Sequence, residues 1–225
     1  MQILFEDNHL VIVHKEAGEI VQPDPTGDPS LEDKIKEYIK EKYHKPGEVF
    51  LGVVHRIDRP VSGTVIFART SKALVRLNQM MQDHQIKKTY WAIVKNPMPH
   101  TEGTLTHYIF RDSSKNKSFC TQPGHKNAKE AVLHYRTLAS SDHYYLLEIH
   151  LETGRHHQIR CQLAKAGSPI RGDLKYGFDR SNPDGSISLH ARSLEFTHPV
   201  TKEKICIEAP EPQDALWKAL TGAIK

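Results

Sequence analysis

A ten-residue motif between two apolar runs constrains the fold of this chain more than any other feature. Residues 55–64 read His-Arg-Ile-Asp-Arg-Pro-Val-Ser-Gly-Thr, with apolar residues 49–54 before them and 65–68 after them. Two short apolar runs joined by a glycine-containing loop predict a strand, a loop and a second strand. Asp58 lies in this loop, between Arg56 and Arg59. Loops held by a rigid sheet often carry catalytic residues, so Asp58 is a candidate for chemistry.

The charges around Asp58 allow two interpretations. Neighbouring guanidinium groups favour the ionised carboxylate, which is the form that covalent attack on an electrophilic carbon requires. The same pattern fits an exposed loop of ion pairs, which is common and contributes little stability. The charge pattern alone favours the second interpretation.

Apolar periodicity predicts an α+β chain. Strands are predicted at residues 3–5, 10–13, 87–94, 104–110, 131–138, 144–151, 188–196 and 204–207. Helices are predicted after the capping-box pair Ser30 and Asp33, after Thr70 or Ser71, at residues 156–166, and around Leu216 and Leu220. Long antiparallel stretches with few helices between them indicate a mixed, largely antiparallel sheet with flanking helices.

Composition predicts a globular protein, and 225 residues suffice for one large domain or two small ones. The cysteine usage favours a cytoplasmic protein. Hydrophobic residues make up 38% of the chain, and the net charge of +4 permits a polyanionic partner. The polar, basic segment at residues 111–129 is predicted to be an exposed loop. By itself it indicates plain solvated surface, and next to a catalytic cleft it would be a candidate to contact phosphates. Three widely spaced cysteines give no metal-ligand spacing or disulfide framework. With no signal peptide or membrane-length apolar run, we expect no membrane association, and nothing indicates an obligate protein partner.

Several sequence blocks in fixed order resemble a known family. They are residues 3–10 followed by 15–18, residues 55–63, residues 88–90 with Ala92, and residues 153–160 followed by 167–173 and 189–199. Together they resemble the RluA family of RNA pseudouridine synthases from residue 3 to about residue 209. The resemblance implies the fold of that family, as a single catalytic domain over residues 1–225 with a central RNA-binding cleft. It also implies isomerisation of uridine in a structured tRNA or ribosomal RNA stem-loop, without a cofactor or a required metal.

The resemblance implies three catalytic residues. Asp58 matches the nucleophile, and Arg160 matches the arginine that pairs with it and holds it ionised. Tyr90 matches a tyrosine whose ring stacks on uracil and whose phenol transfers protons. Without the resemblance, Tyr90 would be interpreted as a core aromatic residue and Arg160 as part of a helix-surface ion pair.

Five further residues are expected to bind RNA, namely Arg56, Arg59, Lys88, Arg155 and His157. Arg56 either helps to extrude the target base, or contacts a phosphate or Asp58. Arg155 and His157 are predicted at a helix N-terminus, which suits a phosphate. Adjacent histidines on a helix point apart, so His156 and His157 are not predicted to bind metal.

Alternatives remain open for both mechanism and function. The carboxylate could attack carbon 6 of uracil or the anomeric carbon of the ribose, or the reaction could begin with removal of the ribose 2′ proton. A non-catalytic RNA-binding protein on the same fold is the alternative function. A hydrolase of nucleosides or glycosides is less compatible, because it needs an activated water and usually a second acid.

Three positions depart from the family pattern, namely Glu16, Leu133 and Gln162. The family often has proline, threonine and histidine there, and we expect the departures to affect target recognition more than catalysis. Many relatives also carry an N-terminal RNA-binding domain. Here the catalytic domain begins at about residue 1, so RNA recognition is expected to come from the catalytic domain itself.

Overall fold

The computed structural model describes residues 1–224, which form two compact units. The first unit combines Met1–Lys87 with Ala191–Pro210, and the second combines Lys88–His190 with the C-terminal segment from Glu211. Each unit is therefore built from two separate stretches of sequence.

Eleven strands and four α-helices are present in the described residues. The strands are β1 (Gln2–Glu6), β2 (Leu10–Lys15), β3 (Gly52–Val53), β4 (Ser62–Ala68), β5 (Lys87–Val94), β6 (Glu102–Asp112), β7 (Lys117–Thr121), β8 (Lys129–Ser140), β9 (Tyr145–Leu151), β10 (Leu189–Thr197) and β11 (Lys204–Glu208). The helices are α1 (Leu31–Lys42), α2 (Ser71–Gln82), α3 (Gln158–Lys165) and α4 (Ala215–Thr221), with a 3₁₀ turn at Leu174–Tyr176.

The first unit is a sheet in the order β1-β2-β4-β10, with β3 also paired to β4 and β11 to β10. The β2–β4 register aligns Leu10 with Ala68 and Lys15 with Gly63. Ala73 and Leu77 of α2 pack against the buried face of these strands, and this contact removes the apolar side of the helix from water.

The second unit is an antiparallel sheet in the order β5-β9-β8-β6-β7. Cys161 of α3 packs with Ile109 and Ala131 on the sheet. Trp217 and Leu220 of α4 pack with Ile93 and Leu146 in a separate cluster. Helix α3 is thus fixed to the strands through its buried side, which matters for the side chains described below.

The α+β class and the largely antiparallel pairing are confirmed. Helix α1 begins as expected, since Ser30 and Asp33 form a reciprocal capping box, and Thr70 caps α2. No helix among residues 1–224 is long and apolar enough to cross a membrane.

Three local predictions differ from the structure. Residues 49–54 were expected to form a strand, but only Gly52–Val53 pair with β4. The predicted loop at residues 111–129 contains β7, which forms a hairpin with β6. Helix α3 begins at Gln158 rather than residue 156, because His157 has a left-handed backbone with φ of 52°.

Candidate active site

Backbone hydrogen bonds help to hold the loop that carries Asp58. The N–H of Val61 donates to the carbonyl of Asp58 at 3.0 Å, and the N–H of Gly18 donates to the carbonyl of Arg59 at 2.8 Å. Ile57 is buried, whereas the Asp58 side chain is half-buried. One side of the loop is therefore anchored, and the carboxylate keeps partial access to solvent.

Lys15 is a buried cation next to this loop. Its Nζ donates to the carbonyl oxygens of Glu16 at 2.9 Å, Arg59 at 3.0 Å and Val61 at 2.7 Å, and the residue is 0% exposed. Burial lowers the pKa of Lys15 from its usual 10.5 to about 8, although the negative charges of Glu19, Asp58 and Glu16 oppose that change. Two carbonyls of the loop are thus organised around one ammonium group.

Gly63 explains why the motif contains a glycine. Its φ is +122°, and a Cβ built there would overlap the backbone carbonyl of Ala191 in β10. Only glycine permits both the backbone conformation and this close approach. The neighbouring Thr64 hydroxyl donates to the same carbonyl at 3.2 Å. The end of the loop is therefore packed directly against β10.

The two arginines of the motif are exposed. Nη2 of Arg59 forms an ion pair with Oδ2 of Asp28 at 2.5 Å, and both side chains are about half exposed. Solvent screening makes such a pair weak. Arg56 lies on the same surface loop, next to the buried Ile57.

In the second unit, Tyr90 is 8% exposed and lies opposite Ile149 of β9. Lys88 precedes it by two residues, so both side chains leave β5 on the same face. Burial lowers the pKa of Lys88. The Nζ of Lys88 lies 3.7 Å from the position that a Cβ would occupy on Gly154. Lys88 therefore approaches the segment that leads into α3.

Arg160 projects from α3 and is 5% exposed. Its Nε donates to Oδ2 of Asp173 at 2.7 Å, and its Nη2 donates to Oδ1 at 2.8 Å. Asp173 is 1% exposed, so the fork is removed from water. The guanidinium carbon also lies 5.0 Å from the centre of the Tyr176 ring, within the range of a cation–π contact.

His157 and Tyr176 form a buried hydrogen-bond network with the β6–β7 hairpin. The phenol oxygen of Tyr176 accepts from the N–H of Ser118 at 2.8 Å and lies 2.9 Å from Nδ1 of His157. Burial raises the pKa of Tyr176, so the phenol stays protonated. The Ser118 hydroxyl lies 2.9 Å from Nδ1 of His156, whose ring stacks on that of His157.

Arg155 is exposed, and both its backbone and its side chain donate hydrogen bonds. Its N–H donates to the side-chain oxygen of Gln158 at 2.9 Å, and its Nε donates to the carbonyl of Glu130 at 2.9 Å. Arg155 and His157 therefore lie before the first turn of α3, and of the two only Arg155 is exposed.

The predicted site residues are divided between the units. The first unit holds Arg56, Asp58 and Arg59, and the second holds Lys88, Tyr90, Arg155, His157 and Arg160. Within the second unit, the structure links His157 and Arg160 through Tyr176. Residues 1–224 contain no group of three or more histidine, cysteine or acidic side chains arranged to hold a metal ion.

The three departures from the family pattern have local explanations. Nε2 of Gln162 donates to the carbonyls of Leu105 and Ala131, both at 3.0 Å, which joins α3 to the sheet. Leu133 is fully buried in β8. Glu16 retains an N–H that donates to the Glu19 carboxylate, and a proline would lack that donor.

Sequence reasoning gave no role to Lys15, Asp173 or Tyr176. A lysine that continues the apolar run of β2 was one available signal, since all six residues of the strand are buried. Gly172 and Asp173 entered only as the end of the sequence block at residues 167–173, and Tyr176 lies outside that block. Nothing in the spacing of Asp173 and Tyr176 indicates that both side chains reach the same arginine.

Comparisons with known proteins agree over most of the chain. The model of the family described as RNA pseudouridylate synthase matches residues 9–165. The uncharacterized RNA pseudouridine synthase YhcT of Bacillus subtilis (strain 168) is 36% identical over 217 residues, which is 95% of this chain and 70% of that protein. Ribosomal large subunit pseudouridine synthase D of Zymomonas mobilis is 33% identical over 224 residues, with the same two shares covered.

A solved structure gives the same picture of the fold. Human RNA Pseudouridylate Synthase Domain Containing 4 superposes with a TM-score of 0.77, covering 94% of this chain and 89% of the human chain. The sequence identity is 24%, so this similarity concerns the fold alone.

Proposed function

The chain belongs to the RNA pseudouridylate synthase family, and from this we propose that it modifies uridine in a structured tRNA or ribosomal RNA, with Asp58 as the nucleophile. Members of the family are isomerases that convert uridine in RNA to pseudouridine. The target base leaves its stack before it reacts, because a paired and stacked base hides its reactive atoms.

The reaction exchanges one bond for another without oxidation or reduction. The bond between N1 of uracil and C1′ of ribose breaks, and a bond between C5 and C1′ forms. The hydrogen on C5 leaves as a proton, and N1 gains a proton. In the proposed roles Asp58 bonds transiently to the nucleotide, Tyr90 stacks on uracil and moves a proton, and Arg160 keeps Asp58 ionised.

The observation that best supports Asp58 is the fixed backbone of its loop. Lys15 binds the carbonyls of Arg59 and Val61, and Gly63 packs against Ala191. An exposed loop of ion pairs needs no buried lysine, whereas a nucleophile gains rate from being held close to its attack geometry. Asp58 is also only half-buried, as a residue that meets a substrate has to be.

The basic segment at residues 111–129 supports RNA as the partner. It contains five lysine and arginine side chains and one carboxylate, a net charge of +4 that equals the net charge of the whole chain. Phe110 of β6 stacks on Phe119 of β7 and on His125, which follows that strand. The cations suit contacts with phosphates, and the aromatic rings next to them suit stacking with unpaired bases.

Tritium release tests the assignment of Asp58. RNA labelled with [5-³H]uridine, taken from a strain that lacks the gene, should lose tritium to water when the wild-type protein is added. Asp58→Asn should abolish release while RNA affinity stays within a few-fold. The matched control is Asp83→Asn, which changes an exposed carboxylate of the same unit and should retain full activity. Release by Asp58→Asn at the wild-type rate would refute the assignment.

Two other results would favour the alternative functions. Free uracil in the reaction would indicate hydrolysis rather than isomerisation. A wild-type protein that binds this RNA without releasing tritium would indicate a non-catalytic RNA-binding protein. Mapping pseudouridine in RNA from the deletion strain and its parent identifies the target position.

The contribution of the basic segment is measured by salt titration. Replacing a lysine that contacts a phosphate by alanine should make the negative slope of log affinity against log salt less steep by about 1. Lys115→Ala and Lys126→Ala are suitable, since both side chains are exposed. An unchanged slope in both variants would place the RNA elsewhere.

A further inference from the structure

The geometry points to Asp173 as a positioning residue that acts through Arg160. Asp173 holds the guanidinium of Arg160 by two parallel hydrogen bonds of 2.7 and 2.8 Å. This inference rests on the proposed function, because it assigns Asp173 to the same reaction as Arg160. It adds a residue that does not itself touch the reacting atoms.

The first argument is geometric. A bidentate contact along one edge of a planar guanidinium fixes its direction as well as its distance. The Tyr176 ring, 5.0 Å from the guanidinium carbon, restricts motion out of the plane. A guanidinium has five N–H donors, so one held along its Nε edge by Asp173 can still serve a second acceptor.

The second argument concerns why the pair is buried. Arg160 is 5% exposed and Asp173 is 1% exposed. Removing two charges from water is costly, and well-packed apolar residues often give equal or greater stability at such positions. Stability alone therefore accounts poorly for this pair, whereas the need to present a charged, oriented guanidinium accounts for it.

The third argument is that the backbone around Asp173 is tightly defined. Gly172 has φ of +87°, and a Cβ there would lie 2.8 Å from the carbonyl oxygen of Ser186. The carbonyl of Asp173 accepts from the N–H groups of Tyr176 and Phe178, both at 3.1 Å. The carboxylate thus projects from a turn that has little freedom to move.

Tyr176 connects this arrangement to the β6–β7 hairpin. Its phenol oxygen accepts from the N–H of Ser118, and its ring lies next to Arg160. The short run Asp173-Leu174-Lys175-Tyr176 therefore supplies both supports of one arginine, the carboxylate at its edge and the ring at its face.

A kinetic double-mutant cycle tests the inference by tritium release. Asp173→Asn keeps the size of the side chain but removes its charge, and should lower kcat about 100-fold, the order expected for misplacing a catalytic group by about 1 Å. KM for RNA should change less than threefold, since the pair is buried. In an Arg160→Gln background, the same substitution should change kcat less than twofold, because the arginine that it positions is absent.

Two further variants keep the result decisive if Asp173→Asn unfolds. Asp173→Glu keeps the buried charge but moves the carboxylate by about one bond length, and should lower kcat at least 10-fold in a protein that circular dichroism shows to be folded. Asp179→Asn is the matched control, since it breaks an exposed ion pair with Lys95 in the same unit. Its kcat should stay within twofold of wild type.

The outcomes separate the inference from the proposed function. A wild-type protein that releases no tritium would overturn both. An active wild type with kcat unchanged in folded Asp173→Glu would overturn only the role of Asp173. An equal loss from Asp173→Asn in the wild-type and Arg160→Gln backgrounds would also overturn it, because Asp173 would then act independently of the arginine.

Discussion

Replacing Lys15 with methionine removes the buried cation that joins β2 to the Asp58 loop. Its three N–H···O bonds to backbone carbonyls contribute about 4 to 9 kcal/mol, at roughly 1.5 to 3 kcal/mol for each bond from a charged donor. Keeping the charge in the folded protein costs about 3 kcal/mol, because the pKa falls from 10.5 to about 8. We therefore expect Lys15→Met to lower the free energy of unfolding by about 1 to 6 kcal/mol at pH 7.

The pH dependence of this loss has a definite sign. Below about pH 8, Lys15 is protonated in both the folded and the unfolded protein. Between about pH 8 and 10.5 the folded protein has released this proton while the unfolded chain still binds it, so stability rises with pH. The methionine variant lacks this contribution. The difference in unfolding free energy between wild type and Lys15→Met should therefore be flat below pH 8 and increase up to about pH 10.5.

Urea unfolding monitored by circular dichroism measures both quantities. The matched control is Lys34→Met, which removes a partly exposed lysine paired with Glu19 and should cost less than about 1 kcal/mol. If Lys15→Met is as stable as Lys34→Met, the ammonium does not hold the loop. If the difference in stability between Lys15→Met and wild type does not change above pH 8, the lowered pKa of Lys15 is wrong. Tritium release by the folded variant should also fall, since the Asp58 loop loses two of its backbone contacts.

Three further predictions concern single contacts, all measured by urea unfolding. Gly63→Ala should destabilise by more than about 2 kcal/mol, because the added Cβ overlaps a backbone carbonyl at an unfavourable φ, whereas Gly47→Ala, with open space around it, should cost under about 1 kcal/mol. Gln162→Leu should cost about 1 to 3 kcal/mol, because the buried carbonyl of Ala131 and the part-buried carbonyl of Leu105 lose this donor; an unchanged midpoint would contradict this. Ser30→Ala should cost about 1 kcal/mol by breaking the capping box of α1, and full stability would show that the box contributes nothing.

The sequence predicted most elements of the fold because their signals are local. Alternating apolar residues located the long strands, and the Ser30 capping box located the start of α1. Strand β7 was not predicted and β3 was predicted too long, since the extent of each depends on pairing with a neighbouring strand rather than on its own pattern. The start of α3 was misjudged because no rule of propensity predicts a left-handed histidine at residue 157.

The candidate site divides in the same way. Family motifs provided Asp58, Tyr90 and Arg160 as predictions, and their roles stay predictions. The supports of these residues come from tertiary contacts, so spacing could not reveal them. Lys15 lies more than forty residues from the carbonyls of Arg59 and Val61 that it binds, and Asp173 reaches Arg160 from a separate turn.

The discontinuity of the first unit has a consequence for biosynthesis. Strand β4 is complete at Ala68, but its neighbour β10 begins only at Leu189. At ribosomal rates of about 5 to 20 residues per second, the intervening chain takes roughly 6 to 24 s to emerge. Throughout that interval the nascent polypeptide displays an unsatisfied strand edge that can pair with another copy. We therefore expect slower translation of the intervening segment to lower the yield of folded protein.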